Sequence, residues 1–463
     1  MNLLGLLFIL LLYGSFYLWS PIRTIKHFLL FSGIVSVPFE IDYSFVYWQA
    51  HNGWTSGIAV SLSEISFGLL FLHVLVNRQA PYSSSRPVVW SMVLFLLACA
   101  LSVQNSIVGK LTLYQVLSVA KWFVLYYYAF VNCLETREDL RAVISYLAIA
   151  MLLQGVFCLL QYGAGLSFYA LLSTGHHEVR NMTVGDDGDY GRAAGSFPQP
   201  NGLAEYLVPL ILLQTSLLFG TGERNWLRRL AILAGLFGLL ASFSRGGWLG
   251  LAVCLPMLLI ALGRLRPLKV IVISLVLAGL ALTLEPVRLR VFGDDHNSAN
   301  SRWALMHLAT NMIKAHPAIG IGANTFAITK YEYVDDSIEG AWLDQVHNTY
   351  LLVFAETGFI GFACFLGFLV AFFRESRHGV AQADDPFSRA VALGIRFGLV
   401  ASMLHMFVDM FMARAIFGSL FLSCGLLTAL RVTDDGERDW LEEARQTGAK
   451  PMEHGAAQPM TLD

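Results

Sequence analysis

A chain of 463 residues, 56% of them hydrophobic and only 14% charged, is too apolar for a soluble domain, and its mean hydropathy of +0.58 agrees. It reads as a polytopic membrane protein, and its net charge of -2 gives no sign of a nucleic-acid partner. Cys99, Cys133, Cys158, Cys254, Cys364 and Cys424 lie mostly inside apolar runs with no paired spacing, so neither disulfides nor a metal site is expected.

Residues 1–20 lack a basic leading segment and a small-residue cleavage site, and are read as a retained first helix. Further runs of bilayer-spanning length fall at about 57–76, 88–103, 112–132, 142–165, 202–219, 227–243, 247–263, 268–284, 350–373, 390–411 and 415–430. Residues 27–45 form a weaker candidate, so the chain is expected to be an all-α integral membrane protein with about 12 or 13 transmembrane helices. No internal repeat stands out, and the absence of a GxxxxGK loop argues against an ATP-driven pump.

Basic residues fall in every second short loop: Arg23 and Lys26, Arg78 and Arg86, Arg137 and Arg141, Arg224, Arg228 and Arg229, then Arg264, Arg266 and Lys269, and last Arg374, Arg377 and Arg389. The positive-inside rule makes those loops cytoplasmic. The alternate loops, near 40–56, 104–110 and 244–247, carry one basic residue or none, and the two long loops at about 166–200 and 285–349 go with them to the periplasmic side. The expected division is therefore N-terminal transmembrane helices over 1–165, a first periplasmic loop over 166–200 and central helices over 201–284. A catalytic periplasmic loop over 285–349, C-terminal helices over 350–430 and a cytoplasmic tail over 431–463 complete it.

Three outer segments carry chemistry. Pro200 and Asn201-Gly202 start a helix with Glu205 in its first turn, where the dipole favours an anion. Ser242 to Trp248 makes a tight turn that leaves Arg245 at the membrane surface, either snorkelling or meeting an anion. In the second long loop, Asn300 or Ser301 is placed to cap a helix from Arg302 to about Ala315, ended by His316-Pro317. Trp303, Met306, Ala309/Thr310 and Ile313 recur on that helix at helical spacing, giving a face for the membrane or the bundle. Arg302 pairs with an acid such as Asp294 or Asp295, or holds a diphosphate by its fork. His347 stands where the chain re-enters the bilayer, as a structural hydrogen-bonder or as a base. Two arginines for a diphosphate and one imidazole for a hydroxyl proton make a workable metal-free glycosyl transfer site. Within apolar segments, His405 and Asp409 are four apart and pair with each other or with Arg396 or Arg414; they and the isolated Glu64, His73 and Lys121 read first as helix-helix pairs and second as acceptor-site residues.

These residues give the chain a resemblance to the O-antigen ligase and O-antigen polymerase superfamily of bacterial membrane glycosyltransferases. It is carried by Pro200-Asn201-Gly202-Leu203-Ala204, by Ser244-Arg245-Gly246-Gly247, and by Arg302-Trp303 leading through Pro317 to Gly320-Ile321-Gly322. The sharpest match is His347-Asn348, nine residues, then Gly358-Phe359-Ile360-Gly361, with Glu356 just before the first glycine. Phe362-Ala363 departs from the threonines often found next in ligases.

The resemblance implies a GT-C-type membrane fold with a long, partly helical periplasmic loop, in the bacterial inner membrane. It implies an undecaprenyl-diphosphate-linked glycan donor, a glycan or lipid A-core acceptor, and other polysaccharide assembly proteins as partners. Arg245 and Arg302 would bind the diphosphate and His347 would activate the acceptor hydroxyl, with inversion, no cofactor and no divalent metal. Asn201, Glu205, Asn348, Glu356 and Arg288 are the expected substrate-binding residues around them. Ligation to lipopolysaccharide or exopolysaccharide and polymerisation of lipid-linked repeats both remain open. A lipid-linked glycan transporter is the reading from another class, and it would place charge along a midplane pathway.

Overall fold

A computed structural model describes residues 22–39, 42–48, 55, 57–77, 82–165, 183–184, 190–264, 266–269, 272, 276, 279, 282–292, 298–339, 343–411 and 413–447. The apolar runs fold as helices, because in a bilayer only intrasegment hydrogen bonds satisfy the backbone. In order these are α1 (Ile22–Ser36), a hairpin of β1 (Asp42–Tyr47) and β2 (Gly57–Ser61), α2 (Leu62–Asn77), α3 (Arg86–Leu101), α4 (Gly109–Phe123) and α5 (Arg137–Ala164). The two-residue strands Thr183–Val184 and Tyr190–Gly191 follow. Then come α6 (Pro200–Gly220), α7 (Trp226–Ala241), α8 (Arg245–Ala261), α9 (Glu285–Phe292), α10 (Ser298–Ala315), α11 (Thr349–Gln382), α12 (Pro386–His405) and α13 (Arg414–Thr447). Among the described residues, 7 helices are long and apolar enough to cross a membrane, including Arg137–Ala164, Pro200–Gly220 and Thr349–Gln382. The molecule is an all-α multi-pass membrane protein.

Its two ends are built differently. At one end α5 starts in a capping box, in which the Thr136 hydroxyl accepts from the Asp139 amide and Asp139 accepts from the Thr136 amide. Asp139 also takes Lys26 at 2.9 Å. Arg137 bridges Asp385 and Asp434, each at 2.9 Å, tying the starts of α5 and α12 to α13. Arg431 and Ser85 both reach Glu375. Basic Arg86, Arg229, Arg374 and Arg389 belong to this end, which is called the basic end below. At the opposite end, the loop end, α6, α8, α11 and α13 begin and α7 and α12 finish.

Several expectations need correction. The stretch expected as a span over 57–76 opens with strand β2, and only Leu62–Asn77 is helical. Residues 27–45 do not form one span, since α1 ends at Ser36 and β1 follows. The helix expected over 390–411 stops at His405, where the chain turns. α13 runs on through the expected tail to Thr447. The expected helices over 1–20 and 268–284 lie wholly or mainly outside the described residues, as does most of 166–200.

Candidate functional site

The site grows from the first turn of α11. Asn348 caps that helix, its side-chain oxygen accepting from the Leu351 amide at 3.0 Å, while its side-chain nitrogen donates to the Phe407 carbonyl. Thr349 fastens the same turn to the loop after α12: its amide donates to the Met406 carbonyl and its hydroxyl to the Asp409 carbonyl at 2.8 Å. This stitching brings His347 to Asp409, Nδ1 to Oδ1 at 3.2 Å. A proton on Nδ1 satisfies that bond and leaves Nε2 as the ring's acceptor atom. Burial pushes the Asp409 carboxyl up, but the hydrogen bond and charge of His347, with His405 and the Met410 amide, more than offset it and hold the group below the usual carboxylate range.

Glu205, in the second turn of α6, joins this group. Glu205, His405 and Asp409 are all buried, and each presents a ligating atom within 4.8 Å of the others. They are the one group of this kind among the described residues. The turn bearing Arg245 abuts them: a Cβ on Gly246 would stand 2.5 Å from His405 Nε2, so only glycine allows the approach. Ser244 caps α8 by accepting from the Gly247 amide, and the preceding Phe243 is held at φ 49°, a conformation that a bulky residue seldom adopts. Two further arginines grip this turn. Arg290 Nε donates to the Phe243 carbonyl, and Arg192 donates to the Ser242 carbonyl and to Asn201 Oδ1 at 2.8 Å.

Arg302 arrives by another route. α10 begins at Ser298, earlier than expected, so Arg302 is in its second turn, half-buried, and Asn300 and Ser301, expected as the cap, are inside the helix. Its buried face is Ala304, Leu305, Leu308, Ala309 and Met312, packed with Val346, Leu352 and Ala355 on either side of His347 along the chain. Trp303 and Met306, expected on a face for the membrane or the bundle, are exposed, whereas Ala309 is in the packed face. Asp335 receives His307 and Asn311 from α10; these and the Ser337 hydroxyl hold its carboxyl far below the usual range.

The glycine motifs explain themselves as an interlock. α11 is broken at Gly358 (φ 64°), and the segment around Gly320 (φ 71°) lies against the break, with Ile321 and Gly322 amides donating to the Ala355 and Glu356 carbonyls. A Cβ at Gly320 would fall 2.3 Å from the Glu356 carbonyl carbon, so the contact is backbone on backbone. Glu356 is buried, and its two oxygens accept from the Asn324 and Phe326 amides. It acts as a clamp on this loop, joining α11 to the segment after Gly322.

The structure thus gathers His347, Asn348, Glu205 and the Arg245 turn, and brings α10 with Arg302 against the same turn of α11. Among the described residues no hydrogen bond or ion pair joins Arg302 to the cluster. Arg288 is exposed on α9, where Arg290 instead reaches the turn. Arg192 and Arg290 were not singled out from the sequence, and His405 and Asp409 were read as acceptor-site residues only in second place, because their spacing of four points first to a helix pair. Lys121 pairs with Glu64 at 2.8 Å, so these two are not isolated.

Residues 230–366 match the family model described as O-Antigen ligase. The match supports the O-antigen ligase superfamily for that stretch. The stretch carries Arg245, Arg302 and His347, whereas Glu205, His405 and Asp409 lie outside it. No curated protein matches the chain. With the membrane helices, the match supports a membrane glycosyltransferase of the ligase and polymerase type.

Proposed function

We propose that the protein transfers a glycan from an undecaprenyl-diphosphate-linked donor to a sugar hydroxyl at the periplasmic face of the bacterial inner membrane, in lipopolysaccharide or exopolysaccharide assembly. The observation that carries this is His347, within the stretch that matches O-antigen ligases, oriented by Asp409 from outside that stretch beside the Arg245 turn. In the reaction the acceptor hydroxyl gives its proton to His347 Nε2 and its oxygen attacks the anomeric carbon. The bond from that carbon to the diphosphate breaks, and undecaprenyl diphosphate leaves with inversion. Arg245 and Arg302 meet the charge that develops on the leaving group, so no divalent ion is needed at the diphosphate.

The other residues take supporting parts. Asn348 and Asn201 hold the turns that carry His347 and Arg245, and Arg288 on the exposed side of α9 is placed for the donor's glycan or headgroup. Clustering of these groups at one end, instead of along a midplane path, favours a transferase of GT-C type over a transporter. Phe362-Ala363 favours keeping a polymerase as the second reading, with a lipid-linked repeat as acceptor at the same site. The test is His347→Ala in a complementation assay for surface glycan, paired with binding of the lipid-linked donor. Loss of glycan with donor binding kept is expected; wild-type glycan from a stably inserted variant would overturn the proposal.

A further inference from the structure

The cluster beside His347 is more than the transfer reading uses. Glu205 comes from α6, His405 from the last position of α12 and Asp409 from the turn after it, so three parts of the chain converge on one point. Glu205 is 4% exposed and His405 3%. Neither makes a side-chain hydrogen bond or ion pair with a described residue, although each has a ligating atom within 4.8 Å of the other and of Asp409. Two carboxylates buried side by side repel, and a buried carboxylate without a partner is costly. His347 is bonded to Asp409 alone of the two. Gly246, next to Arg245 on α8, packs over His405.

A divalent cation resolves both costs, since two carboxylates and a neutral imidazole balance its charge. We infer that Glu205, His405 and Asp409 bind a single divalent transition-metal ion. One imidazole nitrogen with two carboxylate oxygens is a donor set for zinc, manganese or ferrous iron, while magnesium and calcium prefer oxygen alone. Three protein ligands leave a position for water. Because Asp409 also accepts from His347, the ion holds in place the carboxylate that orients the base, while the diphosphate is left to the arginines. The ion is a positioning element and contacts no reacting atom.

The experiment uses the full chain in detergent, stripped with chelator and then given zinc, manganese, cobalt or magnesium chloride separately. The expected result is retention of about one equivalent of zinc or manganese after desalting, a raised unfolding temperature with those ions, and little response to magnesium. Glu205→Gln and His405→Gln are expected to lose both retention and the thermal response. A variant that does not fold would be silent, so the wild-type protein carries a separate readout: cobalt should give visible d–d bands that zinc abolishes. Absence of retained metal, bands and thermal response in the wild type would overturn the inference and leave a proton as the neutralising charge on Glu205. Equal retention by wild type and Glu205→Gln would also overturn it, as adventitious binding. None of these readouts uses glycan transfer, so the inference and the proposed function fail separately.

Discussion

The two ends of the helical bundle treat buried and half-buried carboxylates in opposite ways. At the basic end Asp139, Asp385, Asp434 and Glu375 each receive a lysine or arginine at 2.9–3.0 Å. At the loop end Asp409 receives a histidine, Glu356 receives backbone amides, and Glu205 receives no described side chain. Asp42 with Arg414 and Glu64 with Lys121 are exceptions at the loop end, and both pairs anchor the β1–β2 hairpin. A carboxylate matched by a full cation holds helices and has little left to do. One matched by a titratable imidazole can set that imidazole's orientation and charge, which is a requirement of chemistry and not of packing.

Replacing His347 with alanine should break this contrast most severely. Turnover should fall about 10²-fold to 10⁴-fold, the usual worth of a general base, while donor binding changes much less. Single-turnover transfer and equilibrium donor binding, measured on the same preparation, check both halves. Asp409→Asn comes next. It keeps the shape but loses the charge that orients His347, and a loss of about 10²-fold in turnover is expected, with the donor dissociation constant unchanged. An Asp409→Asn enzyme as fast as wild type would mean that the histidine acts without its partner.

How far the sequence revealed this arrangement depends on the kind of signal. Most helices were legible because apolar length alone reports them, as over 137–164 and 200–220. The Gly57–Ser61 strand was not, because its short apolar run joins the helix without a break in hydropathy. Arg245, Arg302 and His347 stood out as polar residues at one predicted surface. Asp409 did not, since a spacing of four from His405 suggests one helix face. The turn after His405 carries it to His347, 62 residues away in sequence. Arg192 and Arg290 were hidden for a related reason: their partners are backbone carbonyls of a turn, which leave no mark in residue types. The partners of Glu356 were hidden as well, since its bonds run to a loop 30 and 32 residues earlier.

Arg245→Lys should give a smaller effect, about 10-fold in transfer with a parallel weakening of donor capture. An ammonium keeps the charge at the α8 turn but cannot present the fork. The affinity for the lipid-linked donor, titrated at two salt concentrations, checks this, because a lysine that restored full affinity would show that charge alone suffices.

The smallest effect on transfer belongs to the basic end, and there the readout is stability. Arg137 and Asp385 are each partly exposed, with side-chain accessibilities of 27% and 30%, so their pairing should couple by only about 0.5–1 kcal/mol in a double-mutant cycle of Arg137→Ala and Asp385→Asn. Transfer by the stably inserted variants should stay within about twofold of wild type. Burial pushes the Asp385 carboxyl up, but the Ser388 hydroxyl and amide and the Arg137 guanidinium push it further down, so its folded value lies below the ordinary one. A group depressed on folding contributes stability that is fully present above its unfolded value, about 3.9, and is lost as pH falls through the folded value. The wild-type unfolding temperature should therefore decline on acidification below about pH 4. The Asp385→Asn protein should begin lower and decline less over the same range. Parallel wild-type and variant curves would show that Asp385 contributes no proton-linked stability, and that the match between cation and carboxylate at this end is geometric only.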